Sequence, residues 1–183
     1  MAKKILLHTC CAPCTTAVLE KLRKSDYAVS GFFYNPNIHP YQEFQKRRET
    51  LELFASLEDL PLFNDVDYPL EDFLQQALAQ KNRCFYCYQR RLKRTAQEAK
   101  ERNFPFFSTT LLISPYQDIE ALRFAGEEAG QEFGIKFVFE DFRPLYKKSR
   151  EMAKAKNLYC QKYCGCIFSE RDRYKRSSSL VNS

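Results

Sequence analysis

Tryptophan is absent from this sequence of 183 residues, and glycine occurs only five times. So few glycines leave no glycine-rich loop after the first apolar run, which excludes the dinucleotide-binding fingerprint and the P-loop. No apolar run reaches the roughly eighteen residues that a membrane-spanning helix needs. The opening Met1-Ala2-Lys3-Lys4 leads straight into four apolar residues, too short for the h-region of a secretory signal. The expected location is therefore cytoplasmic, with no membrane partner. Internal repeats, low-complexity blocks and long linkers are also missing, so residues 1–183 are expected to form a single domain. Its end, about 171–183, reads as a polar, basic, frayed tail.

Cysteine, by contrast, is abundant. Eight of them stand at 10, 11, 14, 84, 87, 160, 164 and 166. A reducing compartment argues against structural disulfides, and clustering at two- and three-residue spacings points to metal or redox work. The net charge of +6 with a pI near 8.8 suits a polyanionic partner. Phenylalanine and tyrosine, 15% of the residues, interleave with the basic side chains. That mixture serves nucleic acid or a core equally well.

Strand-like and helix-like segments alternate along the chain. Strands are expected near 4–9, 27–34, 62–68, 104–112 and 136–140. Helices are expected near 15–24, 41–57, 70–80, 83–103 and 118–132, with a basic segment over 147–157. Such alternation implies an α/β, mostly parallel, Rossmann-like sheet with helices on both faces. In an open parallel sheet the turn leaving the carboxyl end of a strand is where ligands bind. Here that turn is His8-Thr9-Cys10-Cys11-Ala12-Pro13-Cys14. Pro13 stiffens it, and the helix behind it favours thiolate over thiol. A cysteine-rich metal site at the carboxyl edge of the sheet is the expectation.

Cys84 and Cys87 are three apart on a helix start and share a face. Cys164 and Cys166 flank Gly165 in a spacing that needs a non-helical turn. With Cys10, Cys11 and Cys14 they make seven thiols, with Cys160 set aside as an ordinary side chain. Seven is too many for one closed zinc site, and soft all-sulfur ligation suits an iron–sulfur cluster with thiols left over for a second iron or a redox pair. The Cys10/Cys11/Cys14 turn and the Cys84/Cys87 pair are taken as the common core, with Cys164 and Cys166 closing the site. Asp141, at the end of the fifth strand, either ligates iron, donates a proton or caps a helix. His8 either packs in the core or faces the sulfurs. Two basic stretches, Arg90, Arg91, Lys93 and Arg94, then Lys147, Lys148 and Arg150, either neutralise RNA phosphates or form solvated helix surface. Two other functions fit the cysteines: a zinc-stabilised RNA-binding module without catalysis, and a thiol–disulfide oxidoreductase on Cys84 and Cys87.

Six stretches, in order, resemble one family. They are His8-Thr9-Cys10-Cys11-Ala12-Pro13-Cys14, Phe33-Tyr34-Asn35-Pro36-Asn37-Ile38-His39-Pro40, Cys84-Phe85-Tyr86-Cys87-Tyr88, the run from Ser108 to Tyr116, Glu140-Asp141-Phe142-Arg143-Pro144, and the run from Gln161 to Ser169. Together they look like the epoxyqueuosine reductases called QueH, over nearly the whole chain. Cys160 departs from the pattern, since arginine is more typical there. The resemblance implies an adenine-nucleotide-hydrolase-like α/β fold and an iron–sulfur cluster, expected as 4Fe-4S, while the surplus of thiols suggests an additional mononuclear iron. It implies reduction of epoxyqueuosine at the tRNA wobble position to queuosine, the last step of that synthesis, without the cobalamin used by an unrelated reductase. The electron donor is not named by these residues. Of the thiols, Cys10, Cys11, Cys84 and Cys87 are taken to hold the cluster, and Cys11, Cys14 and Asp141 to act in catalysis. The family motifs make Asn35, Asn37 and Tyr116 candidates either for holding the modified base or for forming turns; His39 is taken to shape that pocket, and Arg90, Arg91, Lys147 and Lys148 to meet the RNA.

Overall fold

A computed structural model describes residues 2–179. Strand β1, Lys3–His8, is the centre of the fold. Its Ile5, Leu6 and Leu7 are buried completely, as a central parallel strand covered on both faces requires. Around it lie β2 (Tyr27–Phe33), β3 (Leu62–Asn64), β4 (Phe106–Thr109) and β5 (Lys136–Phe137). The five strands are all parallel, in the order β3-β2-β1-β4-β5. The expected α/β class and parallel Rossmann-like sheet are therefore present.

Helices α1 (Ala12–Lys24), α2 (Tyr41–Leu57), α3 (Leu70–Leu78), α4 (Arg83–Glu101), α5 (Ile119–Phe133), α6 (Tyr146–Ala155) and α7 (Ile167–Ser179) complete the described chain. α1 packs against α2 and α6, whereas α4 packs against α3 and α5. Local chemistry sets their ends. Pro13 occupies the first turn of α1, where a missing amide costs nothing, and Lys21, Arg23 and Lys24 meet the negative end of its dipole. Asn82 caps α4 by accepting from the Phe85 amide at 3.0 Å, and Asp118 caps α5 through Ala121. Gly134 stops α5 at φ 70°, a conformation that suits a residue without Cβ.

Several boundaries differ from those the sequence predicts. α1 begins at Ala12 rather than near 15, so Cys14 lies on its first turn and only Thr9–Cys11 separate strand from helix. β3 ends at Asn64, because Asp65-Val66-Asp67-Tyr68-Pro69 turns polar and then meets a proline. β4 gives way to a 3-10 turn over Thr110–Ile113, nucleated by the Thr109 hydroxyl accepting from the Leu111 amide at 3.1 Å. The stretch from Arg171 is not frayed up to Ser179, because α7 continues through it. Residues 180–183 of the expected tail lie outside the described residues. Among the described residues, no helix is long and apolar enough to cross a membrane.

The seam between α5 and β5 generates a stability prediction. A Cβ on Gly130 would stand 2.7 Å from the Ile135 carbonyl oxygen, a backbone atom that cannot swing aside. Gly130→Ala should cost about 1–3 kcal/mol, the usual penalty of overpacking. A urea-unfolding curve with an unchanged midpoint would refute this packing.

Candidate metal centre

The strand order reverses between β1 and β4, so the crevice beyond their carboxyl ends is the topological switch point where open α/β sheets take ligands. Cys10, Cys11 and Cys14 stand in that crevice. Their three Sγ atoms lie within 4.8 Å of one another, with Cys10 and Cys11 3.7 Å apart and neither in a disulfide. Thr110, at the end of β4, holds the turn across the reversal. Its Oγ1 accepts from the Cys10 amide at 3.0 Å and donates to the Cys10 sulfur at 3.3 Å. Gln161, far along the chain, donates its side-chain amide to the Cys11 sulfur at 2.9 Å.

The three thiols do not ionise alike. Hydrogen bonds from Cys11 and Cys14, aided by the charge of Arg91 and the Thr110 hydroxyl, hold Cys10 well below the ordinary thiol range. Burial pushes Cys11 up, and Cys14 is raised by donating to the other two. Burial and mutual hydrogen bonding thus push the three thiols in different directions, Cys10 down and its two neighbours up. Three convergent soft donors fit a thiophilic metal or an iron–sulfur unit.

Arg91 stands between this triad and the mid-chain cysteines. It is only 3% exposed; Nη2 donates to the Asn35 Oδ1 at 2.6 Å and Nη1 faces the Cys87 sulfur at 3.8 Å. Asn35 in turn donates to the Thr9 carbonyl at 2.9 Å, which ties Arg91 to the cysteine turn. Burial raises Cys87 to about 11 against the pull of Arg91, and raises Cys84, with the Cys164 charge adding to it. Cys84, Cys87 and Cys164 therefore feel one another, although only the amino-terminal three meet within one coordination sphere.

A second buried arginine holds the carboxyl-terminal cysteines. Arg47 is 2% exposed. Its Nε pairs with Glu43 at 2.7 Å, while Nη1 and Nη2 donate to the Cys164 and Tyr163 carbonyls, both at 3.0 Å. Gly165 adopts φ 116°, and a Cβ there would meet Ile38 at 2.9 Å and the Arg47 Nη1 at 3.0 Å. Its carbonyl accepts from the His39 amide at 2.7 Å, and the Tyr163 hydroxyl donates to the His39 carbonyl at 2.6 Å. The Cys164-Gly165-Cys166 turn is thus docked on the Asn35–Pro40 loop and on α2. Within it, a hydrogen bond from Cys166 lowers Cys164 and raises Cys166 itself.

Comparison with known proteins covers most of the chain. A family model described as epoxyqueuosine reductase QueH matches residues 5–172. This chain belongs to the QueH family. Among relatives of that name, one from Dehalococcoides mccartyi is 36% identical over 180 residues, spanning 98% of this chain and 99% of that protein. One from Acinetobacter baylyi is 37% identical, covering 93% of this chain and 82% of its own. One from Thermotoga maritima is 34% identical, covering 96% and 95%. The family membership makes the chain an oxidoreductase.

The other sequence-predicted residues fall into distinct places. Asn35, Asn37 and His39 are buried, and the Asn37 Oδ1 and both His39 ring nitrogens have no hydrogen-bond partner in the structure. His39 lies against Tyr68 and Phe73, with ring centroids 6.0 and 5.7 Å away. Tyr116 is exposed. Cys160 is half-buried and packs on the core, as an ordinary side chain does. His8 takes the packing alternative. Its Nε2 meets the Tyr34 carbonyl at 3.1 Å, which can only accept, so Nε2 carries the proton and Nδ1 accepts from Thr109 at 2.9 Å.

Asp141 and the basic residues stand apart from the cysteine triad. Asp141 is exposed, and its carboxylate accepts from the Arg143 amide at 3.0 Å and from that guanidinium at 2.8 and 2.6 Å, a local turn two residues long. The Arg143 side chain holds it below the usual carboxylate range, so it stands ionised rather than as an acid. The basic face of α4 is not a free phosphate-binding surface. Arg91 is buried, Arg90 pairs with Asp72 at 2.6 Å, Lys93 with Glu132 at 2.8 Å, and Arg94 with Asp65 and Glu98 at 3.1 and 2.7 Å. Lys148 pairs with Glu20 at 2.6 Å, whereas Lys147 keeps 91% of its side chain exposed. Sequence reasoning missed Arg47 altogether, since Lys46-Arg47-Arg48 reads as a solvated face.

Two measurements follow from this geometry. Arg47→Leu would strand Glu43 and two carbonyls in the interior, so unfolding free energy should drop by about 3–5 kcal/mol, the cost of breaking a buried pair. Cys164 should also become faster to alkylate in that variant; an unchanged stability and alkylation rate would remove Arg47 from the site. Burial lowers His8 to about 3, with the Arg91 charge assisting, and lowers His39 to about 4. The unfolded chain then binds protons below pH ~6.5 that the folded chain refuses. Stability from both histidines is present above that pH and is lost as pH falls towards 4 and 3, at up to ~1.4 kcal/mol per unit for each. His39→Gln should remove about one proton from the slope between roughly pH 6 and 5. Equal slopes in variant and parent would show that His39 titrates normally.

Proposed function

We propose that this chain reduces epoxyqueuosine at the wobble position of tRNA to queuosine. The observation that carries this reading is the buried Cys10/Cys11/Cys14 cluster in the switch-point crevice of a chain belonging to the QueH family. Removing the epoxide oxygen breaks two carbon–oxygen bonds, consumes two electrons and two protons, and releases one water as the alkene forms. A thiol pair of this chain could supply two electrons only once, by becoming a disulfide, so repeated turnover needs an external electron donor, whose electrons a bound redox centre would relay.

The thiols are suited to hold that centre. Cys10, Cys11, Cys84 and Cys87 would carry a 4Fe-4S cluster, with Cys14, Cys164 and Cys166 left to complete the site and help hold a second, mononuclear iron. Bound there, the irons would supply low-potential electrons and a Lewis acid for the epoxide oxygen. The polypeptide's own part is preparation. Arg91 and Arg47 place buried positive charge beside thiols that must become thiolates. Thr110 and Gln161 fix the orientation of the Cys10 and Cys11 sulfurs through hydrogen bonds, as outer ligands orient inner ones. Asn35 sets Arg91 against the cysteine turn. Asn37 and His39 hold unspent hydrogen-bonding capacity beside that turn, suited to the polar edge of the modified base. That base would enter extruded from the anticodon stack, because its ring cannot be reached while stacked.

Anaerobic reconstitution with iron and sulfide, followed by an assay on tRNA carrying epoxyqueuosine with a strong reductant, tests the proposal. Alanine at any of Cys10, Cys11, Cys14, Cys84, Cys87, Cys164 or Cys166 should abolish turnover, and Cys160→Ala should leave it nearly unchanged. Chelating the metal should also stop the reaction; a chain that keeps working without metal would instead be a dithiol enzyme. A colourless reconstituted protein holding only zinc would mark an RNA-binding module.

A further inference from the structure

Ser149 locks α6 onto the cysteine turn. Its hydroxyl donates to the Pro13 carbonyl, and the Thr16 hydroxyl donates to the Ser149 carbonyl at 3.3 Å. Tyr146 and Arg150 lie on the same helix within one turn of Ser149, and α6 is thereby fastened to the first turn of α1, which carries Cys14. A second element reaches the same place from the other side. The Ser114–Asp118 loop is pinned by Tyr88 of α4, whose hydroxyl donates to Gln117 at 2.7 Å and accepts from the Asp118 amide at 3.4 Å. That loop presents Tyr116 with 82% of its surface in solvent, edge-on to Tyr146 with centroids 6.2 Å apart and planes at 85°.

Tyr146 is half-buried against the core and supports the rim, whereas Tyr116 and Arg150 carry little structural load. Tyr116 is the most exposed large hydrophobic side chain among the described residues, yet its backbone is fixed. Arg150 has no ion-pair partner among the described residues, whereas the arginines and Lys93 on the outer face of α4 are paired with carboxylates. Lys147, one turn away on the same helix, adds a solvent-facing positive charge. Exposed aromatic rings on a fixed support, next to an unpaired guanidinium, are the elements with which proteins hold single-stranded nucleic acid: a base stacks and its phosphate is neutralised.

We propose that Tyr116, Tyr146 and Arg150 form a subsite for the RNA nucleotide adjoining the reacting one, with its base stacked on Tyr116 and its phosphate on Arg150. Resting on the proposed tRNA substrate, this assigns the rim to a neighbour of the modified base rather than to that base itself. It also explains how a chain whose α4 charges are internally paired keeps hold of RNA near its cysteines.

The test is a binding titration of the full chain with an unmodified anticodon stem-loop RNA. A second stem-loop is abasic at the nucleotide next to the wobble position. Tyr116→Ala should weaken binding of the intact loop on the order of ten-fold or more, the range lost when a stacking ring is removed, and should leave binding of the abasic loop unchanged. Arg150→Gln should weaken both loops and lower the slope of log affinity against log salt by about one. Both variants replace side chains without buried bonds, so their melting temperatures should match the parent's, and their reconstituted absorption spectra should be unchanged. Equal weakening of intact and abasic loops by Tyr116→Ala, or no weakening, would overturn the subsite while leaving the substrate reading in place. Failure of the unsubstituted chain to bind either loop would overturn both.

Discussion

Thr110 bonds Cys10 through both its amide and its sulfur, and that pair of contacts spans the reversal of strand order between β1 and β4. Everything else about the site depends on this bridge. It brings the carboxyl ends of two strands, a hundred residues apart in the chain, to one short turn. Parallel strands joined by helical crossovers open such a crevice wherever the winding changes direction. In a dinucleotide-binding protein a glycine-rich loop would lie here and its amides would meet phosphate. Here the loop is only Thr9–Cys11 before α1 begins, and it meets the crevice with sulfur.

Packing thiols that must ionise into a protein interior is costly, because a buried charge loses its hydration. Two arginines offset that cost from opposite sides. Arg91 reaches Cys87 and acts on Cys10; Arg47 acts on Cys11 and holds the backbone of Tyr163 and Cys164. Each guanidinium is itself buried and satisfied by oxygen acceptors, Asn35 for one, Glu43 and two carbonyls for the other. The electrostatics and the architecture are therefore one device. The same side chains that make thiolates tolerable also fasten three distant cysteine clusters to a common frame, and α6, fastened through Ser149, carries Tyr146 and Arg150 to the rim.

The α4 charges illustrate how pairing redirects a basic surface. Arg90, Lys93 and Arg94 on this helix read as a phosphate track, but Asp72, Glu132 and Asp65 from elsewhere in the chain, with Glu98 of α4 itself, neutralise them. On α6, Lys147 and Lys148 meet Glu151 and Glu20, whereas Arg150 has no ion-pair partner among the described residues.

The alternation of apolar runs with helical spacing determined the α/β class, because a parallel sheet needs both the buried strands and the crossovers between them. Cysteine spacing singled out the β1–α1 turn, where the structure gathers three sulfurs that could hold a metal ion. His8 stayed ambiguous until its ring met Tyr34 and Thr109, and Asp141 until Arg143 met its carboxylate. Arg47 was invisible along the chain, for its neighbours Lys46 and Arg48 share its charge and its helix. Only the tertiary structure decided which of the three is buried, because burial depends on what folds over a side chain: here a turn of residues 163–166, more than a hundred positions away.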